Sequence, residues 1–550
     1  MTLKHTSLSL AVLLALAAPA HAQDAPRKDG AKALDTVIVT GTRVTNRTVA
    51  ESQSPIDIIT PELLQATGTT ELATALARAL PSLNFPRPAI ADGTSGVRPA
   101  QLRGLAPDQV LILVNGKRRH ISALVNVNGT IGRGSSAVDL NAIPVGAIER
   151  VEVLRDGASA QYGSDAIAGV VNLVLKGAGA GGSIAARYGE YSEGDGQQWQ
   201  LAADTGVSFG EGAGAIHLTA ETGHQDITNR SGAYNGTNPN TGNFPGVGEA
   251  TFKIGDPEVD ATAVVANASL QVAEDTRFYA TLTGSNRDID SFAFYRSKNH
   301  AGQGSLLAQI YPDGYVPEIN QYSRDRSFVL GAKGSTESGW GWDFSYDYGR
   351  NLLNFRTQNT INYALGANSP RSFHVGTLGY TQQVINADFT RNLDLGLAYP
   401  ALFSTGAEYR KETWEQTAGE PDSYFGSGAQ GFAGFTPRNT GRHQRHNLAA
   451  YAGLEADLSE KFSAGFAGRY EDYSDFGSEF SGKLSGRYAF TDVAALRATV
   501  ASGFRAPSLA QQNYQAVTTN ITNGVAFEAG TFPATEIGRA SCRERVSVVV

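Results

Sequence analysis

The sequence predicts a membrane β-barrel preceded by a compact mixed α/β domain, and three observations lead there. From Ser183 to about Ser502, apolar and polar residues alternate with period two, the mark of strands with one apolar face. Beyond the first residues no stretch of 18 or more apolar residues occurs. That excludes transmembrane helices and leaves alternating strands as the means of crossing a bilayer. Composition agrees, because 62 Gly, 24 Phe and 21 Tyr accompany a hydrophobic share of only 41%. The formal net charge of −8 argues against nucleic acid as a partner.

The chain opens on a mildly basic pair, Lys4 and His5, then an apolar run from Leu8 to Ala18 and a small-x-small site, Ala20-His21-Ala22. This reads as a signal peptide over residues 1–22, since the run is well short of the ~20 apolar residues a span needs. Residues 23–47 are expected to form a periplasmic segment. Within it Thr36 to Thr40 is a β-branched run, suited to pairing by its backbone with an exposed sheet edge on another protein.

Residues 48–177 have a mixed texture. Thr60-Pro61-Glu62-Leu63-Leu64 predicts a capped helix start with Pro in the first turn, and Glu71 to Leu80 a second amphipathic helix stopped by Pro81. Val110 to Val114 followed by Asn115-Gly116 predicts a strand and a tight turn. Val151 to Leu154 and Val170 to Leu175 are further strands. Residues 178–182 are Gly and Ala and predict a flexible linker.

From 183 onward the alternation is explicit. Trp340, Trp342, Phe344, Tyr346 and Tyr348 share one face, with Asp343, Ser345 and Asp347 on the other. Phe462, Ala464, Phe466, Gly468 and Tyr470 do the same, as do Leu448, Ala450, Ala452 and Leu454. Connections at 210–214, 273–276, 335–339, 458–461 and 490–493 are short. They interleave with long polar segments near 229–257, 291–321, 359–378 and 418–441, although those near 192–197 and 474–478 are also brief. Short turns at one end and mostly long loops at the other fit roughly thirteen strands of an outer-membrane barrel.

Little else suggests chemistry. The only cysteine is Cys542, so neither a disulfide framework nor a thiolate metal site is expected. No phosphate loop and no His-Glu-x-x-His helix is present. His443 and His446 lie three apart, on opposite faces of a strand. The polar cluster Asn235 to Asn243 reads as a solvated loop. No enzyme activity, cofactor or metal is expected.

The residues resemble the TonB-dependent outer-membrane receptors. Asp35, Thr36, Val37, Ile38, Val39 and Thr40 are similar to the TonB box, the stretch that TonB grips. The plug signature appears in Ile148-Glu149-Arg150-Val151-Glu152-Val153-Leu154-Arg155-Asp156-Gly157 and continues from Gln161 to Asn172. Gln101 to Leu105 and Val114-Asn115-Gly116 are further plug-like pieces. Gly406 to Arg410 and Ser502 to Leu509 resemble barrel motifs. The resemblance implies a plug domain (48–177) inside a 22-stranded antiparallel transmembrane barrel, of which 183–535 would supply part. It implies a receptor exported to the outer membrane, inserted by the barrel assembly machinery and surrounded by outer-membrane lipid. Such a receptor binds a scarce small-molecule ligand, such as a ferric siderophore or oligosaccharide, and imports it on coupling through TonB with ExbB–ExbD. Only a short segment separates the signal peptide from the box, which leaves no room for a signalling domain. A passive porin or surface-binding structural barrel is the alternative, but neither needs a plug or a box.

Two further expectations follow. Arg103, Arg150 and Arg155 in the plug are expected to pair with inward carboxylates such as Glu408, Glu412 and Glu471, because Glu408, Arg410 and Glu412 alternate onto one strand face. The segment Glu536 to Val546 brings the only Cys and a dense basic cluster, and resembles an in-frame sequencing-adapter translation. Residues 536–550 are therefore expected to be an artefact, with the remaining barrel strands missing.

Overall fold

The computed structural model describes residues 37–532 apart from 45, 70, 128–129, 235–246, 398, 492–493 and 523–524. The signal peptide, Asp35, Thr36, the cluster Asn235 to Asn243 and the tail from 533 lie outside the described residues.

The first domain is built on a five-stranded sheet. Its elements in chain order are β1 (Ile56–Ile59), α1 (Pro61–Ala66), α2 (Leu72–Ala79), β2 (Leu83–Asn84), β3 (Gln101–Leu102), β4 (Val110–Val114), β5 (Lys117–Arg118), β6 (Ile148–Leu154), α3 (Ser159–Tyr162) and β7 (Gly169–Leu175). The main sheet runs β1-β6-β7-β4-β5, parallel only between β4 and β7. β4 and β7 are apolar almost throughout and buried on both faces, as strands covered on both sides must be. Asn115 and Gly116 both take positive φ, 50° and 80°, the two-residue turn that returns the chain along β4 into β5. Leu64 of α1 and Leu72 and Leu76 of α2 pack with Ile112, Val151, Val153 and Val171 in one core.

The second region is one antiparallel sheet of thirteen strands in which chain neighbours are sheet neighbours throughout. The strands are β8 (Gly182–Gly189), β9 (Gln198–Phe209), β10 (Gly214–Gln225), β11 (Glu258–Ala273), β12 (Thr276–Phe292), β13 (Glu318–Ser335) and β14 (Trp340–Gln358), followed by β15 (Phe373–Leu393), β16 (Ala401–Ala418), β17 (Gly441–Asp457), β18 (Phe462–Tyr473), β19 (Gly477–Thr491) and β20 (Ala494–Ala501). A separate hairpin, β21 (Ala516–Thr522) with β22 (Val525–Thr531), follows. Turns after β9, β11, β13, β17 and β19 are short, while β10 to β11, β12 to β13 and β16 to β17 are joined by long loops. β13 begins at Glu318 and β15 at Phe373, so both strands reach further into the long-loop end than their polar sequence suggested. Among the described residues β8 and β20 are the two edges of this sheet.

Alternation sorts the side chains as expected. Leu282, Leu330, Phe344, Ile385 and Leu448 point outward and are exposed, whereas Arg287, Asp325, Leu353, Tyr380 and Trp414 point inward and are buried against the first domain. The first domain therefore fills the concave side of the sheet. Trp414 shows how closely: fully buried, it donates its indole N–H to the Ala123 carbonyl at 3.0 Å, the partner a buried Trp requires.

Candidate coupling segment and plug–barrel interface

Residues 37–43 lie as a ribbon across the first domain, bent at Thr40 and Gly41, where Gly41 takes φ 79°. Val37 bridges to Thr48, and the Ile38 N–H donates to the Arg47 carbonyl at 2.9 Å. Alternation holds here as well. Ile38 is buried among Ile56, Leu111, Leu154 and Val170, while Val37 and Val39 are 42% and 54% exposed. Each following residue then makes one polar contact. The Val39 N–H donates to Glu152 Oε2 at 3.0 Å. The Asn172 amide donates to Thr40 Oγ1 at 3.0 Å, and the Gly41 N–H donates to the Tyr162 hydroxyl at 2.9 Å.

The ribbon then crosses to the sheet. Glu455 of β17 accepts from Thr42 Oγ1 at 2.6 Å and from the Arg43 N–H at 2.9 Å. The Arg43 guanidinium lies over the Tyr451 ring and 3.6 Å from Asp388, and Arg47 pairs with Asp457 at 3.2 Å. A cavity of about 520 Å³ opens beside this crossing, between Val39, Arg43, Lys117, Tyr162, Asp388 and Arg469.

Further in, charges of the plug meet charges of the sheet. Asp325 of β13 accepts from Arg119, from His120 Nε2 at 3.0 Å and from Asn351 at 3.0 Å. His120 fits because the facing residue is Gly349, where a Cβ would lie 2.2 Å from the imidazole. Asp139 pairs with Arg287 of β12 at 2.8 Å. Arg98 bridges Glu71 at 2.7 Å and Asp256 at 3.0 Å. Lys117 reaches Asp343 at 3.2 Å, and Arg505 from the segment after β20 reaches Asp165 at 2.6 Å and Asp108 at 3.3 Å.

Charge pairing between plug and sheet is thus extensive, but its members differ from those expected. Arg150 pairs with Glu152 at 2.9 Å, and Arg155 with Asp57 at 2.7 Å, across the β1–β6 pairing. Arg103 donates to the carbonyls of Arg155 and Ala168 at 3.2 and 3.5 Å. Glu408, Arg410 and Glu412 do share the inward face, and each carboxylate meets an arginine of the sheet itself. Glu408 pairs with Arg469 at 3.1 Å, and Glu412 lies 3.7 Å from Arg445 and 3.9 Å from Arg410. Glu471 pairs with Arg469 at 3.1 Å and, among the described residues, is the one of the three that hydrogen-bonds to the plug, accepting from the Ser164 N–H at 3.2 Å. The physical reason is proximity: inward residues on neighbouring strands neutralise one another before a plug residue reaches them.

Burial shifts the plug's titratable groups. It works to raise the Glu71 and Asp165 carboxyls, but Arg98 with Thr74, and Arg505 with Arg118, outweigh it and hold both below the ordinary carboxylate range. Asp139 goes the other way, because burial outweighs Arg287. Burial, helped by Arg119 and opposed by Asp325, lowers His120.

Glu152, Tyr162, Glu455, Asp325 and His120 were not singled out from sequence. Glu455 alone carried a usable signal, an acid on the inward face of a strongly alternating strand. Gly206 to Gly210 spells Gly-x-Ser-x-Gly, yet it forms the end of β9 and its turn, without the strand-to-helix elbow a serine nucleophile needs. His224, Asp226 and Glu258 bring possible ligand atoms within 4.8 Å of one another at the long-loop end.

Known proteins share this architecture. The family pattern for the TonB-dependent Receptor Plug Domain matches residues 48–170, and that for the TonB dependent receptor-like beta-barrel matches residues 274–535. The Ferric enterobactin receptor of Pseudomonas aeruginosa is 24% identical over 84% of this chain and 60% of its own length. The Vitamin B12 transporter BtuB of Vibrio vulnificus is 26% identical over 91% of this chain and 67% of its own. The crystal structure of the siderophore receptor PirA from Acinetobacter baumannii superposes with a TM-score of 0.62 at 17% identity, covering 88% of this chain and 66% of that one. The chain thus spans about three fifths to two thirds of the length of these relatives. With a plug held inside an antiparallel sheet and both family patterns matched in order, the chain belongs to the TonB-dependent receptors, a family of transport receptors rather than enzymes.

Proposed function

We propose that this chain is the plug and part of the barrel of an outer-membrane receptor that binds a scarce ligand outside the cell and imports it with energy delivered through TonB. The signal peptide exports it, residues 48–177 act as the plug, and Asp35 to Thr40 form the coupling segment. The observation that carries this reading is the ribbon at Val37 to Arg43. It alternates exposed and buried residues from Val37 to Thr40, pairs by one backbone bridge, and is stitched first to the plug and then to the sheet. No nucleotide is available in an outer membrane, so work arrives by contact, and a paired strand transmits it through several backbone hydrogen bonds in parallel. TonB, energised by ExbB–ExbD, pairs with this ribbon and remodels the plug beneath it. The relatives named for ferric enterobactin and vitamin B12 support a ligand too large and too dilute for passive diffusion, with a ferric siderophore first among candidates.

The test is a double substitution, Val37→Pro with Val39→Pro. Proline removes backbone donors, including the Val39 N–H that Glu152 accepts. Ligand binding to whole cells should persist while import falls to background. Import that continues unchanged would favour a passive pore and reject the coupling reading.

A further inference from the structure

The cavity of about 520 Å³ at the ribbon crossing falls within the range of small-molecule sites, about 300–1,000 Å³. Three bodies wall it: the ribbon through Val39 and Arg43, the plug through Gln161 and Tyr162, and the sheet through Lys333 and Glu408. Gly116 borders it without a side chain, and a Cβ there would meet nothing within 4 Å.

Much of the charge around this space is already matched. Asp343 and Asp388 share Lys117 at 3.2 and 3.6 Å, and Asp388 also receives Arg43. Three groups are left over. Glu408 is 7% exposed and accepts from Arg469 through Oε2, which leaves its Oε1 buried and without a hydrogen-bond partner among the described residues. Gln161 Oε1 is buried and unpartnered in the same way. Lys333 has neither an ion pair nor a hydrogen bond among the described residues, only the Tyr279 ring 5.8 Å from its Nζ. A buried acceptor with no donor is costly, and here two of them line one cavity.

The two acceptors suit hydroxyl groups, because an ammonium beside them would also face Arg469 and Lys117. Lys333 suits an acid. It stands on β13 and Glu408 on β16, three strand spacings or roughly 14 Å apart before the side chains reach inward. An occupant that satisfies all three carries hydroxyl groups at one end and a carboxylate at the other. We propose that this cavity is a transit site for a hydroxyl-rich acid on the periplasmic side of the plug, and that lifting the ribbon removes one of its walls. The proposal rests on the reading of the short turns as the periplasmic end and of the ribbon as the coupling segment.

The probes are lactobionate and lactitol, which differ only in a carboxylate against a hydroxymethyl group. Each is titrated calorimetrically into the full chain in amine-oxide micelles, which carry no sugar. Lactobionate should bind about threefold more tightly than lactitol, the worth of one exposed ion pair. K333Q should erase that difference and leave lactitol binding as it was, whereas Q161L should weaken both probes about fivefold. Protease protection of residues 48–177 checks that each variant keeps its plug seated. Equal binding of the two probes, binding of neither, or affinities that neither substitution moves would overturn the proposal. The coupling reading would then still stand on its own test, import by the Val37→Pro with Val39→Pro variant. Import that continues in that variant would sink the coupling reading and the transit role with it.

Discussion

Asp325 serves three donors with one buried carboxylate, and two of them, Arg119 and His120, belong to the plug. Asp325→Ala would strand a buried guanidinium, an uncompensated charge that costs about 3–5 kcal/mol. The expected result is a lower urea midpoint for plug release, read by protease access to residues 48–177. Acid should loosen the plug too. Glu71 and Asp165 are held below their ordinary range, so their contribution is complete above about pH 5 and is lost as pH falls through their native values. His120 is lowered from 6.5, so the unfolded chain takes up a proton that the native state refuses, and stability declines from about pH 6.5 downward. Asp139 runs the opposite way, one group against three. The urea midpoint should therefore fall between pH 7.5 and 3, and His120→Gln should flatten the upper part of that decline. None of these partnerships was legible in the sequence. Period two says which face a charge takes, but it is silent on which neighbour the curvature of the sheet brings within 3 Å. Arg150 and Arg155 found closer acids in Glu152 and Asp57 for that reason.

At the scale of elements, the sequence was far more informative. Asn115-Gly116 announced its turn, α1 and α2 begin within a residue of their expected starts, and the Trp340 to Tyr348 face points outward as its alternation required. What escaped was how a loop folds over something it does not adjoin in sequence. The β16–β17 connection carries Phe432 and Phe435, both buried and set edge to face, the first against Phe355 and the second against Tyr514. They share a core with Val97, Leu124 and Val125 of the plug. Polar flanks made this segment read as a long polar loop, whereas its aromatics make it a cover. Replacing Phe432 and Phe435 with Ala should cost about 3–5 kcal/mol at each site. Hydrogen exchange should then rise sharply at residues 121–127, with β9 to β11 unaffected.

For the whole molecule, the asymmetry of its two ends is the property most open to test. If long loops face outward, a single cysteine placed at Gly248, with Cys542 changed to Ser, should be labelled by an impermeant maleimide on intact cells. One placed at Ser459, in the short turn after β17, should be labelled only after the outer membrane is breached. The reverse pattern would turn the molecule over and put the coupling ribbon on the wrong side. The thirteen-strand wall was readable from composition, alternation and loop lengths together. The seating of the plug was not, because it depends on pairs such as Asp139 with Arg287 that lie far apart along the chain.

The contacts of Val39, Thr40, Gly41, Thr42 and Arg43 also have an order. They fall on consecutive residues and reach four partners beneath them, Thr42 and Arg43 sharing Glu455. A pull on the N-terminal side loads them one after another, as tape lifts from a surface. The force needed is that of the strongest single attachment rather than of all five, and the distance over which it acts lengthens in proportion. A ribbon bonded this way yields to a weak, sustained tug yet holds against brief thermal jolts, because rebonding at any one residue restores the row behind it.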